Sequence, residues 1–193
     1  MNPPIVRCTW PGNDSLMIQY HDLEWGVPVH DDQKIFEFFV LDAFQAGLSW
    51  KTVLHKRENF RKAFADFVPG RVALFDEKDV ERLLQDSGII RNRMKIEATI
   101  HNARLVLAMH ERGESFSELL WKMIGGKTIQ NQFTDTKQLP ARTAESDRMS
   151  AELKKMGFKF VGSTICYAFM QAAGMVNDHL VECFRHKEVS LAE

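Results

Sequence analysis

The amino-acid sequence predicts an all-α fold. Apolar residues recur mostly at helical spacing, runs that alternate apolar and polar residues are nearly absent, and acidic or hydroxyl residues precede several apolar stripes. The chain has 193 residues, 45% of them hydrophobic, which is enough to bury one core, and no internal repeat or long linker divides it. We therefore expect residues 1–193 to form a single domain.

The individual helices follow from the same spacing. The clearest begins at Asp31 or Asp32 as N-cap, carries an apolar stripe through Phe36 and Phe39, and ends near Gly47. The acids of segment 76–79 and the hydroxyl of Thr143 mark the starts of two later helices. The other predicted helices span residues 50–56, 59–65, 78–85, 93–109, 116–124, 144–156 and 163–173, and the polar stretch 127–143 is predicted to be a long loop.

Composition limits the partners and the compartment. The net charge of -1 excludes a uniformly basic surface, so contact with nucleic acid would need local clusters of Lys and Arg. No apolar stretch approaches the roughly 20 residues that span a bilayer, and residues 1–4 lack the charged and apolar regions of a signal peptide. We expect a cytoplasmic protein with no membrane partner.

Candidate metal ligands lie near both ends of the chain. The three cysteines, Cys8, Cys166 and Cys183, are odd in number and far apart, which fits reduced thiols or metal ligation better than disulfides. An i, i+4 pair on a helix would point His179 and Cys183 to one face. Cys8 and His21 would complete a Cys2His2 tetrahedron, which favours zinc and leaves no position for water. Combinations that use Cys166, Cys183 and His186 compete with this set, and spacing does not exclude them.

Several rare sequence strings carry a resemblance to a known family. The strings are YHD at 20–22, EWGVP at 24–28, QAGLSW at 45–50, GFKFVG at 157–162 and NDH at 177–179. In this order they resemble the DNA-3-methyladenine glycosylase I family, over nearly the whole chain. The resemblance implies a helix-hairpin-helix glycosylase fold with two helical lobes around a cleft. It also implies one structural zinc bound by Cys8, His21, His179 and Cys183.

The resemblance further implies the organisation and the activity. The zinc lobe would comprise about 1–30 and 165–193, and a hairpin-containing lobe about 60–125. The expected protein is a monomeric, monofunctional glycosylase that hydrolyses the N-glycosidic bond of 3-methyladenine in double-stranded DNA containing alkylated bases. Through DNA it would associate with the nucleoid. An N3-methylated base is cationic and a good leaving group, so no strong general acid and no lysine nucleophile are needed.

A DNA-binding hairpin is also implied, and residues 83–95 have its form. One helix would end at Gly88 and the next would begin near Arg91. A positive φ at Gly88 would expose backbone N–H groups to a phosphate, and Arg91, Arg93 and Lys95 would add positive charge. Judged from the residues alone, an ordinary turn between two helices is the simpler alternative.

The base pocket implied by the resemblance uses Asp42 as the catalytic carboxylate, with Tyr20 and Trp50 as base-binding phenol and stacking indole. Asp42 departs from the family's usual Glu and reaches roughly 1.5 Å less. Phe44 stands where the family often has a polar residue. Without the resemblance, Trp50 could be core, Tyr20 could brace a metal ligand, and Asp42 could cap a helix or face solvent.

Two other classes of function remain open at this point. One is a metallohydrolase that uses the zinc catalytically, which would need three protein ligands and an exchangeable water. The other is a DNA-damage-binding protein without excision activity.

Overall fold

The computed structural model describes residues 5–190, and nearly all of its regular structure is helical. The all-α prediction is confirmed. Two short parallel strands, β1 (Ile129–Gln130) and β2 (Val176–Asn177), pair Ile129 with Val176. Short 3-10 turns cover Ala65–Phe67 and Thr136–Gln138. The α-helices of this range are α1 Ser15–Leu23, α2 Asp32–Gln45, α3 Trp50–Leu54, α4 Arg57–Ala63, α5 Pro69–Val72, α6 Glu77–Gln85, α7 Arg93–Glu111, α8 Phe116–Met123, α9 Ala144–Lys155, α10 Ser163–Ala172 and α11 Phe184–Ser190.

The predicted helix starts are largely confirmed by their capping bonds. Asp31 caps α2 by accepting the N–H of Lys34 at 2.8 Å. Capping boxes open α6 at Asp76 and α9 at Thr143. Asp32 has a different role, because its carboxylate accepts the N–H of Ser117 at 2.7 Å and so ties α2 to the start of α8.

The short elements were not predicted. Helices α1, α5 and α11 were missed, and the segment 127–143 contains a strand and a 3-10 turn within the expected loop. Helices α5 and α11 have four and seven residues. Helices this short are stabilised mainly by tertiary packing and therefore leave little periodic signal in a sequence.

Helix α2 is the centre of the molecule. Every residue from Ile35 to Phe44 is buried, and α3, α7, α8 and α10 pack around it. A helix that is buried on all sides normally carries only apolar residues. The two acids in this stretch, Glu37 and Asp42, are therefore unusual for a helix buried on all sides.

The two ends of the described chain are joined into one unit. The N–H of Phe184 donates to the carbonyl of Val6 at 3.0 Å, and the N–H of Gly26 donates to the carbonyl of Gln171, also at 3.0 Å. Gly174 has a φ of +70°, and a Cβ there would overlap the backbone of Val27. The close approach of these segments agrees with the expected joining of the termini, while the division into two lobes stays a prediction.

No helix within residues 5–190 combines the length and apolar character needed to cross a membrane. Residues 1–4, on which the expectation about a signal peptide depends, lie outside the described residues.

Candidate functional site

The four predicted metal ligands meet in one buried cluster. The ligand atoms of Cys8, His21, His179 and Cys183 all lie within 4.8 Å of one another. Cys183 Sγ is 3.5 Å from His21 Nε2 and 3.6 Å from His179 Nδ1, and Cys8 Sγ is 3.8 Å from His179 Nδ1. A tetrahedral zinc ion with ordinary bond lengths would hold a sulfur and a nitrogen ligand about 3.6 Å apart. The donor set and its spacing therefore fit a tetrahedral metal ion.

The competing ligand sets are excluded by their contacts. Cys166 donates to the carbonyl of Val161 at 3.6 Å, and His186 Nε2 bonds the carbonyl of Asn131 at 2.9 Å. The helical argument for His179 and Cys183 was wrong, however. Both residues precede α11, and a turn closed by a bond from Cys183 N–H to Leu180 O brings them together.

Outer contacts orient both imidazoles of the cluster. His21 Nδ1 bonds the carboxylate of Asp22 at 2.7 Å, and Asp22 also pairs with Arg7. His179 Nε2 donates to the carbonyl of Trp25 at 2.9 Å, which leaves Nδ1 for the cluster. Such outer partners set the tautomer of metal-binding histidines. A bond with Cys8, reinforced by both imidazoles, lowers the pKa of the Cys183 thiol and favours its thiolate form, which is the form that binds metals. The same bond, together with burial, raises the pKa of the Cys8 thiol.

An aromatic cavity lies beside this cluster. Its volume is about 290 Å³, at the lower end for small-molecule sites. Tyr20 and Trp50 are in contact, with ring centroids 5.0 Å apart, and Ser49 caps the helix that begins at Trp50. The lining residues are Trp10, Tyr20, Trp25, Asp42, Gln45, Trp50, Thr136, Leu139, Ala168 and Gln171.

Three buried polar atoms of this cavity have no hydrogen-bond partner among the described residues. They are Trp10 Nε1, Trp50 Nε1 and Asp42 Oδ2. Buried polar groups are nearly always hydrogen-bonded in native proteins. Three unpartnered buried atoms on residues that line one cavity make it a candidate binding site.

Asp42 gives the cavity its chemical character. Its side chain is buried on α2, and burial raises the pKa of this carboxyl well above its usual value, against an opposing effect of Arg57. The Arg57 guanidinium makes its hydrogen bonds elsewhere, because Nε donates to Glu37 at 2.5 Å and Nη1 donates to Glu24 at 2.9 Å, while its Nη2 is buried and makes no hydrogen bond to Asp42 or to any other described residue. Asp42 is thus a buried carboxylate without a countercharge of its own, which a cationic ligand would supply.

Tyr20 complements this carboxylate. Burial, with the nearby charge of Asp42, raises the pKa of the Tyr20 phenol well above its usual value. The phenol therefore stays protonated and can donate a hydrogen bond into the cavity. Tyr20, Asp42 and Trp50 line the same cavity, so the structure brings together the three residues that the resemblance implied, and their roles stay a prediction.

The predicted hairpin lies between α6 and α7, but Gly88 does not act as expected. Its φ is not positive, and its N–H donates to Asp86 at 2.7 Å instead of being free for a phosphate. A Cβ at this position would lie 2.9 Å from the Asp86 carboxylate and 3.1 Å from the side chain of Asn59. The prediction of a positive φ was wrong, and close packing against α4 explains the glycine.

The basic residues of the hairpin differ from one another. Lys95 is buried, and its Nζ donates to the carbonyls of Phe44 at 2.8 Å and Ala46 at 2.7 Å, so it caps the end of α2 and is not free for a phosphate. That prediction is corrected. Arg93 is paired with Glu77, Glu81 and Glu97. The Arg91 side chain is exposed and has no ion pair or hydrogen bond within residues 5–190.

Other residues of the site were not predicted from the sequence. Trp10 and Trp25 flank the segment of Tyr20 and His21, and this density of aromatic residues was a usable signal. Gln171 lies on the distant helix α10 and Thr136 lies in a 3-10 turn, and no nearby sequence pattern marks either residue as part of a site. Phe44, in contrast, lies outside the cavity and packs on Phe60 with ring centroids 4.8 Å apart.

Together, the fold and the site define a mainly helical protein in which a buried Cys2His2 cluster stands beside an aromatic pocket that contains a buried carboxyl group. The sequence model of the methyladenine glycosylase family matches residues 10–186, and the chain belongs to this family. The family resemblance seen in the sequence is confirmed.

Curated relatives and solved structures support the same family assignment. The chain is 54% identical to DNA-3-methyladenine glycosylase 1 of Escherichia coli K12 over 177 residues, covering 92% of this chain and 95% of the relative. The DNA-3-methyladenine glycosylase of Haemophilus influenzae is 48% identical over 178 residues, covering 92% and 96%. A crystal structure of a 3-methyladenine DNA glycosylase I superposes with a TM-score of 0.91 at 54% identity, covering 93% of this chain and 98% of that chain. The Staphylococcus aureus enzyme, described for its recognition of 3-methyladenine, gives 0.88 at 34% identity, covering 92% and 95%.

The raised pKa of Asp42 predicts an unusual dependence of stability on pH. The folded protein binds this proton more tightly than the unfolded chain, in which the pKa is about 3.9. Relative to Asp42→Asn, the free energy of unfolding of the parent should therefore fall as pH rises from about 3.9 to the raised folded value, and then stay constant. Urea unfolding of both proteins across this range measures the difference.

Glu37→Gln is the matched control on the same helix. Burial alone would raise the pKa of Glu37, but Arg57 and its neighbours hold it below the usual value. The corresponding difference should change in the opposite direction, with the parent gaining stability as pH rises. Parallel curves for the two variants would contradict the assignment of Asp42 as an uncompensated carboxylate.

Proposed function

We propose that this protein excises 3-methyladenine from alkylated double-stranded DNA by hydrolysing the N-glycosidic bond. The observation that carries the proposal is the unpaired, buried carboxylate of Asp42 within an aromatic pocket. A base methylated at N3 is flat and positively charged, so it supplies both the stacking surface and the countercharge that this pocket lacks. The relatives that bear this activity in their names support the same reading.

The proposed reaction requires the damaged nucleotide to leave the stack, because its glycosidic bond is inaccessible in the duplex. The flipped base would stack on Trp50 and Tyr20 beside Asp42. The bond between the sugar C1′ and the base N9 then breaks, and its electron pair neutralises the cationic base. Water adds to the electron-deficient C1′ and releases one proton to solvent.

The protein's contribution is to bind and orient the cationic base and to exclude water around it, so that departure needs no general acid. The lining residues described here include no lysine, which supports a monofunctional enzyme without a Schiff base. Asp42 would bind the cationic base with a shorter side chain than the family's usual glutamate.

We further propose that the Cys2His2 cluster holds zinc. Two thiolates and two imidazoles are a common zinc ligand set, and four protein ligands close the coordination sphere. This disfavours the metallohydrolase alternative, which needs an exchangeable water. The role of the metal would be structural, since its ligands join segments near both ends of the chain and His21 adjoins Tyr20.

The proposal also includes the oligomeric state and the location of the protein. The protein would act as a monomer. Reduced thiols in the cluster suit the cytoplasm, where the protein would meet DNA at the nucleoid.

The zinc proposal predicts that metal content and stability are lost together. Cys183→Ala should bind no zinc and lose ~3 kcal/mol or more of its free energy of unfolding, because metal-binding energy is folding energy. Cys166→Ala is the matched control, since Cys166 is equally buried but lies outside the cluster. Metal analysis and urea unfolding provide the readouts. A zinc-free parent of full stability would refute the proposal.

We also propose that the hairpin between α6 and α7 contacts DNA phosphates through the exposed Arg91, whereas the buried Lys95 has a structural role. Arg91→Ala should weaken binding to damaged and undamaged duplexes equally, and it should make the slope of log K against log salt shallower by about 0.9. Lys95→Met should lower the melting temperature through the freed carbonyls of α2 and leave that slope unchanged. Fluorescence titrations at several salt concentrations measure both. The reverse pattern would show that Lys95 leaves its buried position to bind DNA.

The activity itself is tested by chromatographic analysis of bases released from methylated duplex DNA. The parent should release 3-methyladenine, while Asp42→Asn should keep its fold and its affinity for undamaged DNA and lose about 10²-fold in rate, since the amide has no charge to meet the cation. Asp42→Glu tests whether the shorter side chain compromises the contact or the pocket has adapted to it. A parent that binds methylated DNA and releases no base would favour the non-catalytic alternative.

A further inference from the structure

The side-chain amide of Gln171 is fixed at the edge of the pocket. Gln171 lines the cavity from α10, and its Nε2 donates to Asp178 Oδ2 at 2.7 Å. Asp178 is buried and accepts two further bonds, from the Tyr167 hydroxyl at 2.6 Å and from Asn131 Nδ2 at 2.7 Å. The backbone of Gln171 is also held, because its carbonyl accepts the N–H of Gly26 at 3.0 Å.

These bonds decide which end of the amide faces away from Asp178. A carboxylate only accepts hydrogen bonds, so the amide nitrogen of Gln171 must point to Asp178. The reversed amide would place its oxygen against the carboxylate oxygen and would lose a buried, charge-assisted bond. The acceptor Oε1 is therefore directed away from Asp178, and no hydrogen bond within residues 5–190 uses it.

The other polar side chains of the pocket are less selective. Asp42 can accept a hydrogen bond when ionised and donate one when protonated, so it can meet either kind of group. Gln45 also lines the cavity, but no side-chain bond among the described residues fixes its amide, which can turn to present either end. Of the three lining side chains Asp42, Gln45 and Gln171, only Gln171 combines a fixed orientation with an acceptor that does not titrate, whereas the indoles of Trp10 and Trp50 can only donate.

We propose that Gln171 accepts a hydrogen bond from the exocyclic 6-amino group of the base and thereby sets a preference for 3-methyladenine over 3-methylguanine. This inference rests on the proposed function. Adenine carries a donor at position 6, whereas guanine carries a carbonyl there. A fixed acceptor is satisfied by the first and repelled by the second, and an unpaired acceptor in a buried site is costly. Asp178 acts as a positioning residue through Gln171.

The test compares excision of the two bases by the parent, Gln171→Met and the matched control Gln45→Met. Methionine is similar in length to glutamine and has no strong acceptor. Gln171→Met should lose about tenfold to hundredfold in kcat/KM for 3-methyladenine and little for 3-methylguanine, so the ratio of the two falls. Gln45→Met should leave that ratio unchanged. An unchanged ratio in a folded Gln171→Met, or an equal change in both variants, would overturn the assignment.

A second measurement needs only the parent protein. Free 3-methyladenine and free 3-methylhypoxanthine differ at position 6, where the second has a carbonyl in place of the amino group. As competitors, 3-methylhypoxanthine should bind about tenfold more weakly or worse. Equal binding would overturn the inference even if Gln171→Met does not fold. Failure of the proposed function is distinguishable, because an inactive parent would release neither base from DNA.

Discussion

The contact between two distant parts of the chain at the Cys2His2 cluster is the constraint on which the rest of the site depends. Cys8 and His179 are separated by 171 positions, yet their ligand atoms lie 3.8 Å apart. The N-terminal segment has one helix of nine residues before α2, so it gains little rigidity from its own secondary structure. His21 anchors this segment beside Tyr20, and His179 holds the carbonyl of Trp25. The cluster thus fixes one aromatic wall of the pocket.

Helix α2 supplies the second constraint, and the pKa values of its two buried acids are shifted in opposite directions. Glu37 is surrounded by cations, and Arg57 with its neighbours holds its pKa low despite burial. Asp42 lies further along the same helix without such a partner, and burial raises its pKa. The difference arises from the partners, since helix and burial are shared. An unpaired carboxylate costs stability, and such local conflicts are characteristic of functional sites.

The sequence predicted those features that depend on local pattern. Long helices and their caps, such as Asp31 and Thr143, follow from periodicity and short-range hydrogen bonds. The Cys2His2 cluster and the trio of Tyr20, Asp42 and Trp50 required the family resemblance, because spacing left other sets open. Lys95 and Gly88 were misjudged because only tertiary packing decides whether a lysine points to solvent or a glycine relieves a close contact. Gln171 could not be found, since nothing near it in the sequence marks it.

The pocket separates recognition into three requirements that different residues impose. In the proposed function, stacking on Trp50 would select a planar ligand, the uncompensated carboxylate of Asp42 would select a cation, and the fixed acceptor of Gln171 would select a donor at position 6. Unmodified adenine meets the first and third requirements but is neutral, so it gains little from Asp42. A methylated guanine can meet the first two but presents a carbonyl to Gln171. A ligand that meets all three requirements is an adenine made cationic by methylation. The residue that fixes the acceptor of Gln171 is Asp178, which directly precedes the cluster residue His179. The Cys2His2 cluster and the proposed hydrogen-bond selectivity therefore depend on adjacent residues of one segment.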